Sequence, residues 1–87
     1  MSEPVGPTEI EVELRCFAIL REQRRVEVER LRVPAGTTAR GLYDRLFGGG
    51  PLALLRVAFA VNRAYVGGHE VLAEGDEVAF LPPIGGG

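Results

Sequence analysis

Lysine is missing from this chain: all ten of its basic residues are arginine. That absence excludes a phosphate-loop lysine and a Schiff-base lysine. It also precludes lysine-linked chains of this protein. Cysteine, histidine and serine occur once each, as Cys16, His69 and Ser2. A single cysteine makes no internal disulfide, and one Cys with one His falls short of the four ligands a structural zinc takes. A Ser-His-Asp triad would have to draw on Ser2, beside the N-terminus. The inventory is too small for a self-contained enzyme, so any chemistry is expected to involve the chain as a substrate, a carrier or a subunit. A net charge of −2 offers no basic patch for phosphate contacts, and nucleic acid is not an expected partner. No apolar run approaches the roughly 18 residues of a membrane span. The start, Met1-Ser2-Glu3-Pro4, lacks the basic and apolar segments of a signal peptide. A cytoplasmic location with no membrane partner is expected.

What is present fits one small domain of 87 residues. Residues 1–8, with Pro4, Gly6 and Pro7, read as a loose leader. Ile10, Val12, Leu14 and Cys16 alternate with Glu11, Glu13 and Arg15, the period-two signature of a strand with one wet face. Cys16 falls on the inward side, as core packing. The charged stretch Arg21–Arg25 reads as a turn. Val26 and Val28, then Leu31 and Val33, give a second strand whose parity flips, which a bulge near Glu29-Arg30 would repair. Thr37 or Thr38 can cap a helix whose apolar stripe is Ala39, Leu42, Tyr43, Leu46 and Phe47. Gly48-Gly49-Gly50-Pro51 stops it. A third strand runs through Val57, Phe59 and Val61, with Ala58 and Ala60 on its other face. Asn62-Arg63 turns the chain into a short strand at Tyr65-Val66, with His69 as a solvated turn residue beyond it. Glu74-Gly75-Asp76 is a tight turn before a last strand, Glu77–Leu81. The order predicts an α+β domain over 9–81, with one main helix across a mixed sheet of four to five strands.

The segment 82–87 then leaves the last strand directly, as Pro82-Pro83-Ile84-Gly85-Gly86-Gly87. Proline fixes φ and biases its predecessor to extended geometry, so Pro82-Pro83 aims the chain away from the body. Glycines lack Cβ, so Gly85 and Gly86 form a thread that another protein's backbone can enclose. Six extended residues reach at most roughly 20 Å, enough to enter a deep site. Gly87 offers an unhindered carboxyl carbon for acyl transfer. On the sheet, parity turns Phe17, Ala58, Ala60 and Leu81 away from the helix. Apolar residues on a face that could be polar suggest a protein interface.

Three segments carry a resemblance: Phe17-Ala18-Ile19-Leu20-Arg21-Glu22, Ala60-Val61-Asn62, and Gly75-Asp76-Glu77-Val78-Ala79-Phe80-Leu81-Pro82-Pro83-Ile84 followed by glycines. In these, and over roughly residues 9 to 87, the chain resembles the ubiquitin-like sulfur carriers, in particular the small subunits of molybdopterin synthase. The resemblance implies a β-grasp fold with the first and last strands side by side at the centre of the sheet. It implies that a ubiquitin-activating-type enzyme uses ATP to place AMP on Gly87. Sulfur from a sulfurtransferase or persulfide donor then replaces AMP to give a thiocarboxylate. It further implies that the tail enters a large subunit, in an assembly of two small subunits flanking a dimer of large ones, and gives its sulfur to cyclic pyranopterin monophosphate. The chain itself would bind no cofactor or metal, and Cys16 would take no part. Tyr65 and Arg21 fall at an apolar and a basic position of the family, which adds them to Phe17, Ala58, Ala60 and Leu81 as interface candidates. Gly85 stands where the family often has Ala, Ser or Thr, which makes the tail look like the thiamine carrier's.

The same tail chemistry would serve a carrier for thiamine, cysteine or tRNA thiolation. A ubiquitin-like protein modifier would show amide links to lysines of other proteins. A plain binding module with an idle tail would be indifferent to trimming Gly86 and Gly87.

Overall fold

The alternation of Ile10, Val12, Leu14 and Cys16 becomes strand β1 (Glu9–Cys16), with those four side chains buried and Glu11, Glu13 and Arg15 half-exposed between them. The computed structural model describes residues 8–83. β1 pairs antiparallel with β2 (Val28–Pro34) and parallel with β5 (Glu77–Leu81). β3 (Ala58–Val61) lies antiparallel to β5, and β4 (Ala64–Val66) closes the far edge. The order β2-β1-β5-β3-β4 puts the first and last strands at the centre, the arrangement of a β-grasp.

A helix between β2 and β3 covers the core face. Its residues Ala39, Leu42, Tyr43 and Phe47 are buried and Leu46 half-buried, as the stripe predicted (Ala39–Phe47). Thr38 is its cap: the Oγ1 accepts the Gly41 N–H at 2.9 Å, while the Thr37 hydroxyl donates to the Pro34 carbonyl at 2.6 Å.

Two expectations are corrected between β1 and β2. The stretch read as a turn is helix α1 (Ile19–Arg24), closed by Arg25 in the left-handed region and anchored by the buried Leu20; the helix that covers the core is therefore α2. Nor is there a bulge: β1 and β2 pair without a break from Glu9 opposite Pro34 to Arg15 opposite Val28. The continuous register turns Val28 outward, where it is exposed, and puts Glu29 on the core side opposite Leu14. A carboxylate in that position is costly unless paired. Arg24 pairs it, reaching from α1 with Nε and Nη2 at 2.9 and 2.8 Å from the two carboxylate oxygens. Val26 lies before the strand and is exposed. The third strand begins at Ala58, and Val57 packs against the core from the preceding loop.

The strand that leads into the tail is anchored by an aromatic cluster. The Phe80 ring meets Tyr43, Phe59 and Phe47 edge-on, with centroids 5.2, 5.7 and 6.2 Å away. The Tyr43 hydroxyl donates to the Leu52 carbonyl at 2.6 Å, which ties the loop after α2 to the same cluster.

At the start of β5 a polar clasp sets the register. Asn62 and Arg63 turn the β3–β4 hairpin with φ of 52° and 70°, as a two-residue turn of the primed type requires. Asn62 Oδ1 accepts the Glu77 N–H at 2.9 Å, and its Nδ2 donates to Asp76 Oδ1 at 2.9 Å. Asp76 Oδ2 in turn accepts the Ala73 N–H at 2.7 Å. Asn62→Ala loses both bonds and meets a penalty at positive φ, and is expected to destabilise the chain by about 1–3 kcal/mol in urea unfolding. Asn62→Gly, which keeps the backbone geometry and loses only the bonds, should fall between it and the parent. Among the described residues, no helix is long and apolar enough to cross a membrane.

Candidate functional site

Adjacent strands that run parallel end at the same edge of a sheet. β1 and β5 do so with Cys16 opposite Phe80, and therefore Phe17 leaves the sheet beside Leu81. β3 enters at that same edge, with Ala58 opposite Leu81. From the far side β4 brings Tyr65, opposite Ala60. The loop that Tyr43 holds contributes Leu54, Leu55, Arg56 and Val57. Together with Pro82 and Pro83 these residues line an open groove of about 980 Å³, with Arg40 and Arg56 as its cationic members.

The chain has six aromatic residues, and four of them (Tyr43, Phe47, Phe59 and Phe80) are in the core. The other two, Phe17 and Tyr65, both line the groove, 37% and 77% exposed. Leu54 stands beside them at 93% exposure. Burying such side chains on a partner is favourable by roughly 1.5–3 kcal/mol each for a large apolar residue. Apart from the exposed Val28, the neighbouring outer face is charged. Glu13, Arg15, Glu77 and Arg63 neutralise one another there, at 3.0, 2.9 and 3.7 Å along the row. Pairs this exposed contribute little to stability. They leave the apolar groove as the feature of that face at the edge where the tail departs.

Of the residues singled out from sequence, Phe17, Ala58, Tyr65, Leu81, Pro82 and Pro83 come together in the groove. Ala60 faces outward as expected but is buried, between Ala79 and Tyr65 in the register, and does not line it. Arg21 is exposed on α1, 3.7 Å from Glu27, and also stands outside the groove. Ile84, Gly85, Gly86 and Gly87 lie outside the described residues. Sequence reading missed Ala18, Arg40 and the loop residues Leu54, Leu55 and Arg56. The available signal was three leucines in Leu52–Leu55, where the core needs only Leu52 and Leu55.

Cys16 is not part of this surface. It is 2% exposed on the core face. Burial, aided by the Glu29 charge and opposed by Arg24, pushes its thiol up to about 11. In the unfolded chain the thiol ionises near its ordinary 9.0. Between these values the unfolded chain releases a proton that the folded chain keeps. The stabilisation is therefore complete below pH 9.0 and is lost as pH rises toward about 11. Tyr43, also raised by burial, acts in the same direction. The urea midpoint should hold steady up to about pH 9 and then decline, less steeply in Cys16→Ala. Iodoacetamide at pH 8 should label the thiol only after denaturant is added.

Comparison with known proteins places this geometry among sulfur carriers and small modifiers. A model of the ThiS family matches residues 14–87. The molybdopterin synthase sulfur carrier subunit of Arabidopsis thaliana is 33% identical over 81 residues, which cover 90% of this chain and 84% of that one. A Pyrococcus furiosus structure, assigned as molybdopterin converting factor subunit 1, superposes with a TM-score of 0.74 at 27% identity, covering 86% of this chain and 99% of that one. SAMP1 of Haloferax volcanii gives 0.68 at 28% identity, over 88% and 99%. A complex of subunits 1 and 2 of the molybdopterin-converting factor from Helicobacter pylori contains a chain that gives 0.58 at 27% identity, over 90% and 100%.

Proposed function

The chain belongs to the ThiS family, and from that premise we propose that it is the sulfur-carrier subunit of a molybdopterin synthase, working through the carboxylate of Gly87. A carboxylate is a poor electrophile at neutral pH. Transfer of AMP from ATP by an adenylating partner turns it into an acyl adenylate with a good leaving group, the ordinary logic of covalent activation. The outer sulfur of a persulfide donor then attacks the acyl carbon and expels AMP to give an acyl disulfide, and a second thiol of the donor cleaves this, leaving a disulfide on the donor and the thiocarboxylate on the chain. That group is carried into a large subunit and gives its sulfur to cyclic pyranopterin monophosphate, a step of molybdenum cofactor synthesis.

The observation that carries this reading is the place where β5 ends. The segment beginning at Pro82 departs from the central strand, at the edge of the sheet where both non-core aromatics and Leu54 line one groove. Docking on that groove would leave the tail adjacent to the partner's body, with Pro82 and Pro83 directing it and Gly85 and Gly86 passing through a narrow channel. The large subunit is the proposed occupant, on the strength of the relative's name and of the two-subunit complex from Helicobacter pylori. The activating enzyme would have to reach the same carboxylate. Acid, base and oxyanion contacts come from these partners, which accounts for the sparse inventory of this chain.

The reading is tested by reconstitution. Chain bearing a C-terminal thiocarboxylate, prepared by chemical ligation, is mixed with a molybdopterin synthase large subunit and cyclic pyranopterin monophosphate. Molybdopterin, measured as its fluorescent oxidation product, is expected to form in proportion to the carrier consumed. No product, with a large subunit that accepts another carrier, would overturn the assignment.

The likeness to the small archaeal modifier from Haloferax volcanii favours one second reading, a protein modifier joined through the same carboxyl group. It predicts amide links from Gly87 to lysines of other proteins, which peptide mapping of cell extracts would reveal.

A further inference from the structure

Phe17 and Leu20 close a four-residue turn, the Leu20 N–H donating to the Phe17 carbonyl at 3.1 Å. Ala18 is the first central residue of that turn, with φ 54° and ψ −128°. These are the angles of a type II′ turn, in which this position belongs to glycine because a Cβ crowds the backbone there. Among the described residues, three other non-glycine residues, Arg25, Asn62 and Arg63, also have positive φ. Arg25 closes α1 in the left-handed helical region, and Asn62 and Arg63 form the hairpin turn, positions where positive φ has a local reason. Ala18 differs from these: ψ of −128° takes it outside the left-handed helical region. The Ala18 carbonyl accepts the Glu22 N–H at 3.1 Å as α1 begins, a main-chain bond that glycine would make equally, so among the described residues the methyl group itself gains nothing from this geometry. The residue is exposed, takes no part in the core, and caps α1 without a side-chain hydrogen bond. It does line the groove, next to Phe17.

We propose that Ala18 is a partner-contact residue, its methyl group held on the wall of the tail-side groove at a conformational cost to the free chain, for the large subunit to close over. The proposal rests on the reading of the groove as the large subunit's docking surface. Strain at a ligand-facing position persists where a bound state compensates for it. Burying one methyl group strengthens binding about fourfold, and the side chain also restricts the loop that holds Phe17. Glycine at this position would relax the free chain and give up both advantages. Stability and affinity should therefore move in opposite directions, which a purely structural role does not produce.

The experiment compares the parent chain, Ala18→Gly and Leu81→Ala for thermal midpoint and for affinity to a molybdopterin synthase large subunit by titration calorimetry. Ala18→Gly is expected to melt about 4–8 °C higher and to bind about fivefold more weakly, with Leu81→Ala also binding more weakly than the parent. If Ala18→Gly melts higher but binds equally or more tightly while Leu81→Ala binds weakly, Ala18 is not a contact and the groove reading stands. If neither substitution alters binding, the groove is not the docking surface and both fall. A lower midpoint for Ala18→Gly overturns the premise of strain.

Discussion

Deleting Gly87 is expected to abolish sulfur transfer while leaving the fold intact. The shortened chain still ends in a glycine carboxylate, at Gly86, so the chemical group survives and only its position changes. One extended residue spans about 3.5 Å, and a displacement of about 1 Å at a reacting centre already costs roughly a hundredfold in rate. Thiocarboxylate formation by the activating enzyme should fall by at least about a thousandfold on that scale. Residue 87 follows the last core residue of β5, Phe80, by seven positions, so the circular dichroism spectrum and the urea midpoint should match those of the parent. Sulfur measured on the C-terminal peptide, with both folding measurements unchanged, separates a reach effect from a folding effect. Undiminished loading of the shortened chain would show that the enzyme does not measure the tail.

Phe80→Ala has the converse signature. Phe80 is completely buried in the central strand and contacts three other rings. Its removal leaves a cavity that no neighbouring side chain can fill without breaking that aromatic cluster, and Phe→Ala in a core costs about 3–5 kcal/mol. A domain of 87 residues holds a total of about 4–13 kcal/mol. The variant should therefore lose most of its urea resistance, and a large fraction of it should be unfolded at 37 °C. Sulfur loading should drop with the folded fraction and recover with any osmolyte that restores folding. A loss below 1 kcal/mol would mean that the core around β5 is far more plastic than its ring contacts indicate.

Local patterns made much of this molecule legible. The alternation from Ile10 to Cys16 and the stripe from Ala39 to Phe47 each bury one face, and a period of two or three-and-a-half residues reports that directly. Thr38 lies where a hydroxyl meets free helix N–H groups, though sequence did not separate it from Thr37. What stayed hidden depends on distant partners. The inward Glu29 looked like a register error because its acceptability rests on Arg24 of α1, a helix with a single buried residue and too short for a stripe. The clasp of Asn62 and Asp76 joins residues fourteen apart. Leu54 is an ordinary loop leucine until the loop is placed beside Tyr65 and Leu81. The strained geometry of Ala18 leaves no mark in composition or spacing.

Sulfur on Gly87 would be visible by intact-protein mass spectrometry. The chain is incubated with an adenylating enzyme, ATP, a persulfide donor and a thiol reductant, then fragmented. Exchange of a carboxylate oxygen for sulfur adds roughly 16 mass units, as does oxidation at Cys16 or Met1, so only C-terminal fragments and alkylation distinguish them. The expected result is an ATP-dependent gain confined to fragments that contain Gly87 and trapped by alkylation. An unmodified C-terminus, with an enzyme that demonstrably loads another carrier, would contradict it.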